Sequence, residues 1–139
     1  MLGFKGNVTI RKENETHYKV VGFLAYSNHE VEVIVKNGFL TDGASIPRFL
    51  WRLFGTPFTG SYTTSAIIHD ALYGSHLVSK EVADGLFLEM MEAEGVSGWK
   101  STCMYYGVKW FGGSSWSKSE EVLTENKKYV EVNYENSVN

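Results

Sequence analysis

Along this chain the spacing of apolar residues changes once, and that change decides what it can fold into. Up to about residue 40 they come in short, nearly alternating runs, as in Val31-Glu32-Val33-Ile34-Val35. From about residue 47 they recur at intervals of three and four. Period two belongs to half-buried strands and the longer spacing to helices. Strands first and helices after make an α+β architecture. A chain of 139 residues is long enough for one domain with a sizeable core. Its single cysteine, Cys103, excludes an internal disulfide, so that core must hold the fold.

Three stretches predict an N-terminal antiparallel β-meander of three or four short strands: NVTIRK (7–12), HYKVVGFLAYS (17–27) and HEVEVIVKNGFL (29–40). The intervening ENET and SN read as turns. TDGASIPR (41–48) then breaks the pattern. Asp42-Gly43 is turn chemistry, and Ser45 is placed to N-cap a short helix, PRFLWRLF, that stops at Gly55. Longer helices are predicted over 60–74, over 79–94 with Ser79 as N-cap and Gly95 as stop, and over 97–111. The single α+β domain is expected to span 1–116. The polar remainder, 117–139, reads as a C-terminal tail holding at most one short strand, KKYVEVNY, or partly disordered.

Charge narrows the partners. A net charge of −3 and a pI of about 5.8 give no basic field for nucleic acid. No run approaches the roughly 18 apolar residues of a membrane span, and the N-terminus has no signal-peptide pattern, so a soluble protein is expected.

The segment SAIIHDALYGS (65–75) places His69 and Asp70 inside an apolar run. On a helix, Tyr62, Ala66, His69 and Tyr73 share one stripe, with Asp70 about 100° round from it. On the next helix Asp84 has apolar neighbours, Phe87, Leu88 and Met91. The short loop between these helices folds them back on each other and brings Asp84 toward His69. A buried carboxylate needs a partner, and an imidazole held by one is oriented to act as a base.

The combination TDGASIPRFLWRLFG, AIIHDALY, SKEVADGLFLEMM and MYYGVKWFG resembles a small family of bacteria and their phages, domain of unknown function 1353. The resemblance covers roughly residues 38–116. It implies a phage or prophage origin, in the host cytoplasm or the virion, and no established activity. HDALY followed by AD on the next helix is also similar to phospholipases of the A2 type. In those enzymes a helical histidine activates water and the following aspartate binds calcium. A second aspartate, held by a tyrosine hydroxyl, orients the histidine. Carried onto this chain, these roles fall to His69, Asp70, Asp84 and Tyr73, and the implied cofactor is Ca2+. The glycine-rich calcium loop of those enzymes has no counterpart in RFLWRLFGTPFTG, which leaves Asp42 as the substitute ligand.

Other features carry alternatives. Ser45 would be a nucleophile if His69 were its base. Arg48 and Arg52, four apart, would hold a phosphate or carboxylate or else form a solvated edge. The four histidines have no zinc spacing. Residues 99–111 are apolar nearly all round, which predicts a buried central helix. The alternative is a surface facing a partner or lipid, with Lys100 and Lys109 beside its aromatics.

Two functions follow, the first favoured and the second its alternative. One is an ester hydrolase with His69 as base, Asp84 and Tyr73 in support, Asp70 and Asp42 as metal ligands, and a lipid or other ester as substrate. The other is a non-enzymatic phage protein, a virion component or a binder of a phage or host protein, whose His/Asp cluster only organises the core. A catalytic site requires a cleft at His69. A core network requires His69 to be enclosed.

Overall fold

The computed structural model describes residues 2–7, 9–58 and 60–134. Six strands come first: β1 (Gly3–Gly6), β2 (Ile10–Lys12), β3 (Tyr18–Val20), β4 (Leu24–Ser27), β5 (Val31–Val35) and β6 (Leu40–Thr41). Helices α1 (Arg48–Phe54), α2 (Thr63–Ser75), α3 (Lys80–Ala93), α4 (Gly98–Phe111), α5 (Gly113–Trp116) and α6 (Glu120–Lys127) follow, and β7 (Val130–Tyr134) closes the described chain. The order is the α+β one expected, with more helices than the three or four anticipated.

The strands do not form one meander. They divide into an antiparallel sheet ordered β1-β4-β5-β7 and a smaller one ordered β2-β3-β6. The division falls inside the single stretch expected over 17–27. Gly22 adopts φ +88° there, a left-handed conformation that ends β3 and redirects the chain into β4. Its N–H donates to Asn37 Oδ1 at 3.0 Å, which fixes the break. Within β5 the alternation read from the sequence is present, with Val31, Val33 and Val35 buried and Glu32 and Ile34 half-buried.

The centre of the molecule is α2. Every residue of it except Thr63 and Asp70 is buried. Ile67, Ile68, Ala71 and Leu72 pack on the larger sheet, while Ala66 joins a second cluster with Leu50, Phe87, Met91 and Met104. Because α2 fills the middle, α4 is not the buried central helix that its composition predicted. Only a narrow stripe of it, Ser101, Met104, Gly107 and Val108, meets the core. Gly107 permits that contact, since a Cβ there would lie 2.6 Å from Leu50 Cδ1. The remaining aromatics of α4 stay outside.

The segment after residue 116 is built into the fold. Ser119 caps α6 by accepting from Val122 N, and Asn126 Nδ2 donates to the Gly74 carbonyl at 2.9 Å, docking α6 on α2. The short strand expected over 127–134 is β7. It pairs with β5 in antiparallel register, Val33 opposite Val132, and Val130 enters the core. The polar helix α6 escaped the sequence reading because EEVLTENK buries no residue of its own. Residues 135–139 of the expected tail lie outside the described residues. Among the described residues no helix is long and apolar enough to cross a membrane.

Deleting residues 117–139 should therefore lower stability by about 3 kcal/mol or more, since it uncovers β5 and one side of α2. A urea titration checks this. A dispensable tail would leave the midpoint unchanged.

Candidate functional site

His69 lies in the middle of α2, and α3 faces it. The hydrogen bond expected between His69 and Asp84 is present, Nε2 to Oδ1 at 2.8 Å. Tyr73, one turn after His69, donates its hydroxyl to the same oxygen at 2.7 Å. Lys80, four residues before Asp84 on α3, donates Nζ to Oδ2 at 2.8 Å. Two further bonds from Lys80 Nζ reach the carbonyls of Val108 at 3.0 Å and Lys109 at 3.2 Å, near the C-terminus of α4. All three ammonium protons are thereby used. The imidazole ring sits between Tyr73 and Phe87, with centroids 4.3 and 4.5 Å away.

The other ring nitrogen meets Ser45, whose Oγ is 3.0 Å from Nδ1. Ser45 is thus not the N-cap expected of it. The N-cap of α1 is Pro47, without a side-chain bond. Asp70 points back at the same turn, accepting from Ser45 N at 3.2 Å and from Thr41 Oγ1 at 2.7 Å. Asp42 Oδ1 accepts from Ala44 N, closing the turn on itself, and its other oxygen is 4.0 Å from His17 Nε2. Arg48 stands apart from all of these, 4.3 Å over the ring of Trp51.

Burial decides the electrostatics. His69 is 0 % exposed, Ser45 1 % and Asp84 2 %. Burial lowers the His69 pKa below the ordinary 6.5 and outweighs the opposing pull of Asp84, so the ring is neutral. Burial also acts to raise the Asp84 pKa, but the donors from His69, Lys80 and Tyr73 prevail and hold it below 3.8. An ionised Asp84 accepts Nε2–H, which leaves Nδ1 to accept from the Ser45 hydroxyl. Burial, and after it Asp84, pushes the Tyr73 hydroxyl up, keeping it a donor. Asp70 is raised by burial and then by the charge of Asp42, against the donors of Thr41 and Ser45.

The structure thus brings His69, Asp84, Tyr73 and Ser45 into one hydrogen-bonded array and joins Asp70 to it through Ser45. Asp42 and Arg48 remain outside. Asp70 and Asp42 border one cleft together with His17 and Lys118. Among the described residues no group of three or more His, Cys, Asp and Glu side chains is arranged to hold a metal ion. Each oxygen of Asp70 accepts from one protein donor, Oδ2 from Thr41 and Oδ1 from Ser45 N. Sequence reasoning missed Lys80 and Thr41. For Lys80 the signal was its spacing four residues before Asp84 on one helix. Thr41 carried no local signal. Gly112 is a further silent member, because a Cβ there would lie 2.6 Å from the Tyr73 hydroxyl.

The model of a family described as a protein of unknown function, DUF1353, matches residues 18–108. An uncharacterized protein of Sinorhizobium fredii, y4jT, is 35% identical over 91 residues, 66% of this chain and 27% of its own length. A second from the same organism, y4iH, is 35% identical over 72 residues, 52% of this chain and 30% of its own length. The chain therefore spans between a quarter and a third of either relative. No solved structure matches it.

Removing the charge at the centre should cost more than removing one neutral donor. Asp84→Ala leaves Lys80 and His69 facing a void and should cost about 3–5 kcal/mol. Tyr73→Phe should cost only about 1–2 kcal/mol. Denaturant midpoints give both values. A pH effect follows from His69. Its folded pKa lies below the unfolded value, so its share of stability is present above pH 6.5 and is lost as pH falls toward the folded value. The stability difference between the wild type and His69→Asn should therefore be larger at pH 7 than at pH 5. Equal differences would mean that His69 titrates alike in both states.

Proposed function

The chain belongs to the DUF1353 family of proteins of unknown function, and from its own geometry we propose that it is a non-enzymatic binding module. The polar array then fixes its shape while its surface does the work. One observation carries this reading: His69 is 0 % exposed and both its ring nitrogens are already bonded, to Asp84 and to Ser45. A general base needs beside its accepting nitrogen a water or a nucleophile that a substrate can reach, and the serine hydroxyl beside Nδ1 belongs to a residue only 1 % exposed. A network in which every member is satisfied is instead what a core requires. In this reading Asp70 serves as the acceptor for Thr41 and Ser45. In a phage or prophage such a module acts as a virion component or binds a host factor, in the virion or the host cytoplasm.

A second reading has its own support. Ser45, His69 and Asp84 follow one another in the order nucleophile, base, orienter, with links of 3.0 and 2.8 Å. An ester hydrolase built on them would also need N–H donors for an oxyanion. Around Ser45 these are committed: Ala44 N to Asp42, Ser45 N to Asp70, and Ile46 N to the Gly43 carbonyl. That commitment, with the enclosure of Ser45, ranks the hydrolase second.

His69→Asn separates the two. Asparagine keeps a donor for Asp84 but accepts no proton near neutral pH. In a binding module the substitution costs about 1–3 kcal/mol through a poorly paired buried Asp84, and binding survives in the folded fraction. In a hydrolase it removes ester cleavage by about 10²–10⁴-fold with little change in the denaturant midpoint. Loss of a measured esterase activity at unchanged stability would falsify the binding reading.

A further inference from the structure

The 16 acidic residues of this chain are unevenly placed. None falls in residues 43–69 or 95–119, the stretches that hold α1 and α4, whereas Arg48, Arg52, Lys100 and Lys109 do. Neither helix contains Asp, Glu, Asn or Gln. Among the described residues none of these four cations comes within 4.0 Å of a carboxylate, in a chain whose net charge is −3. Three of them lie instead beside aromatic rings: Lys100 5.6 Å over Phe54, Lys109 5.7 Å over Tyr106, and Arg48 over Trp51.

The same two helices leave their large apolar side chains in water. Leu53 and Trp99 are each 68 % exposed, Trp110 66 % and Phe111 60 %. Phe49, Leu53, Cys103, Tyr106, Trp110 and Phe111 share one open apolar groove between α1 and α4. A contiguous apolar face of this kind marks an interaction surface.

We infer that the α1–α4 face docks on the surface of an anionic phospholipid bilayer. This rests on the reading of the chain as a binding module and names what it binds. Three features select the occupant. Arg52 on α1 and Lys100 and Lys109 on α4, none of them within 4.0 Å of a carboxylate among the described residues, call for negative charge opposite. A second copy of this chain would bring those cations against its own set, which disfavours a symmetric dimer. The groove between the two helices exposes almost no polar surface, which leaves little for the directional hydrogen bonds of a protein interface. Tryptophans and tyrosines beside lysines and arginines, on two helices that carry no acid of their own, suit the headgroup boundary, where aromatic bodies enter the lipid and cations stay with the phosphates.

The test mixes the full chain with vesicles of phosphatidylglycerol and phosphatidylcholine, or of phosphatidylcholine alone. Co-sedimentation and the tryptophan emission maximum are read, together with fatty-acid release. The expected result is binding to the anionic vesicles with a blue shift, weakened by salt. Binding should fall at least about tenfold in the double variant Leu53→Ser/Trp110→Ser. It should fall roughly fivefold for each cation removed in Arg52→Gln and Lys109→Gln. These side chains are exposed, and circular dichroism confirms that the variants fold. No binding, equal binding to neutral vesicles, or undiminished binding by the double variant overturns the inference. So does a dimer that the double variant abolishes. Vesicle binding with fatty-acid release that His69→Asn removes would leave this inference standing and end the non-catalytic reading. Absence of both binding and release would do the opposite.

Discussion

The carboxylate of Asp84 is an ionised group almost wholly removed from water, and most of the helical layer is arranged to answer it. A bare charge there would cost several kcal/mol, more than a domain of this size can spare. It is met by three donors, one of which is a cation: His69 and Tyr73 from α2, and Lys80 from α3. Lys80 then reaches the last carbonyls of α4, so a single charge binds three helices. On the far side of the imidazole, Ser45 and Asp70 pass the constraint to the turn before α1, and Thr41 passes it to β6. The polar chain thus crosses the molecule from the smaller sheet to the end of α4.

Such a chain demands space as well as partners. A Cβ at position 112 would lie 2.6 Å from the Tyr73 hydroxyl, and one at position 107 would lie 2.6 Å from Leu50 Cδ1 on α1. These two glycines are needed for contact, since neither has a positive φ. The arrangement also explains why α2, which carries two ionisable residues in its middle, is the most buried helix. Its polar side chains are consumed by neighbours, and the rest are apolar or small enough to let the sheet and α3 close on it. With the centre filled by α2, the aromatic residues of α4 have nowhere inside to go.

Much of this was readable from residue spacing alone. The four helices over 47–111, the cap at Ser79 and the alternation in β5 each depend on local signals, and each is present in the structure. So does the facing of His69 and Asp84, because a short loop between two helices fixes which residues meet. What could not be read depends on contacts distant in sequence. Ser45 looked like a cap because local sequence cannot reveal an imidazole 24 residues away. The division of the strands between two sheets turns on the conformation of one glycine. The helix 99–111 looked central because an apolar composition does not say whether another helix already holds the centre. The polar segment after 116 looked like a tail because α6 buries nothing of its own and β7 is stable only as a partner of β5.

The spacing of HDALY and the following AD fixes one thing firmly: it turns Nε2 of the histidine toward an aspartate and places a tyrosine hydroxyl on that same aspartate. Those contacts orient the ring and set its tautomer, and they are the same whether or not any reaction follows. What makes such a histidine a base is the group that meets its other nitrogen. Water, or a serine hydroxyl that a substrate can reach, gives a hydrolase. Here it is the hydroxyl of Ser45, which is 1 % exposed and whose own N–H is held by Asp70, in a turn packed against the ring. The His69–Asp84–Tyr73 arrangement therefore holds an interior together without needing any chemistry. The residues left free to meet a partner are the cations and aromatics of α1 and α4, two helices that carry no acid of their own.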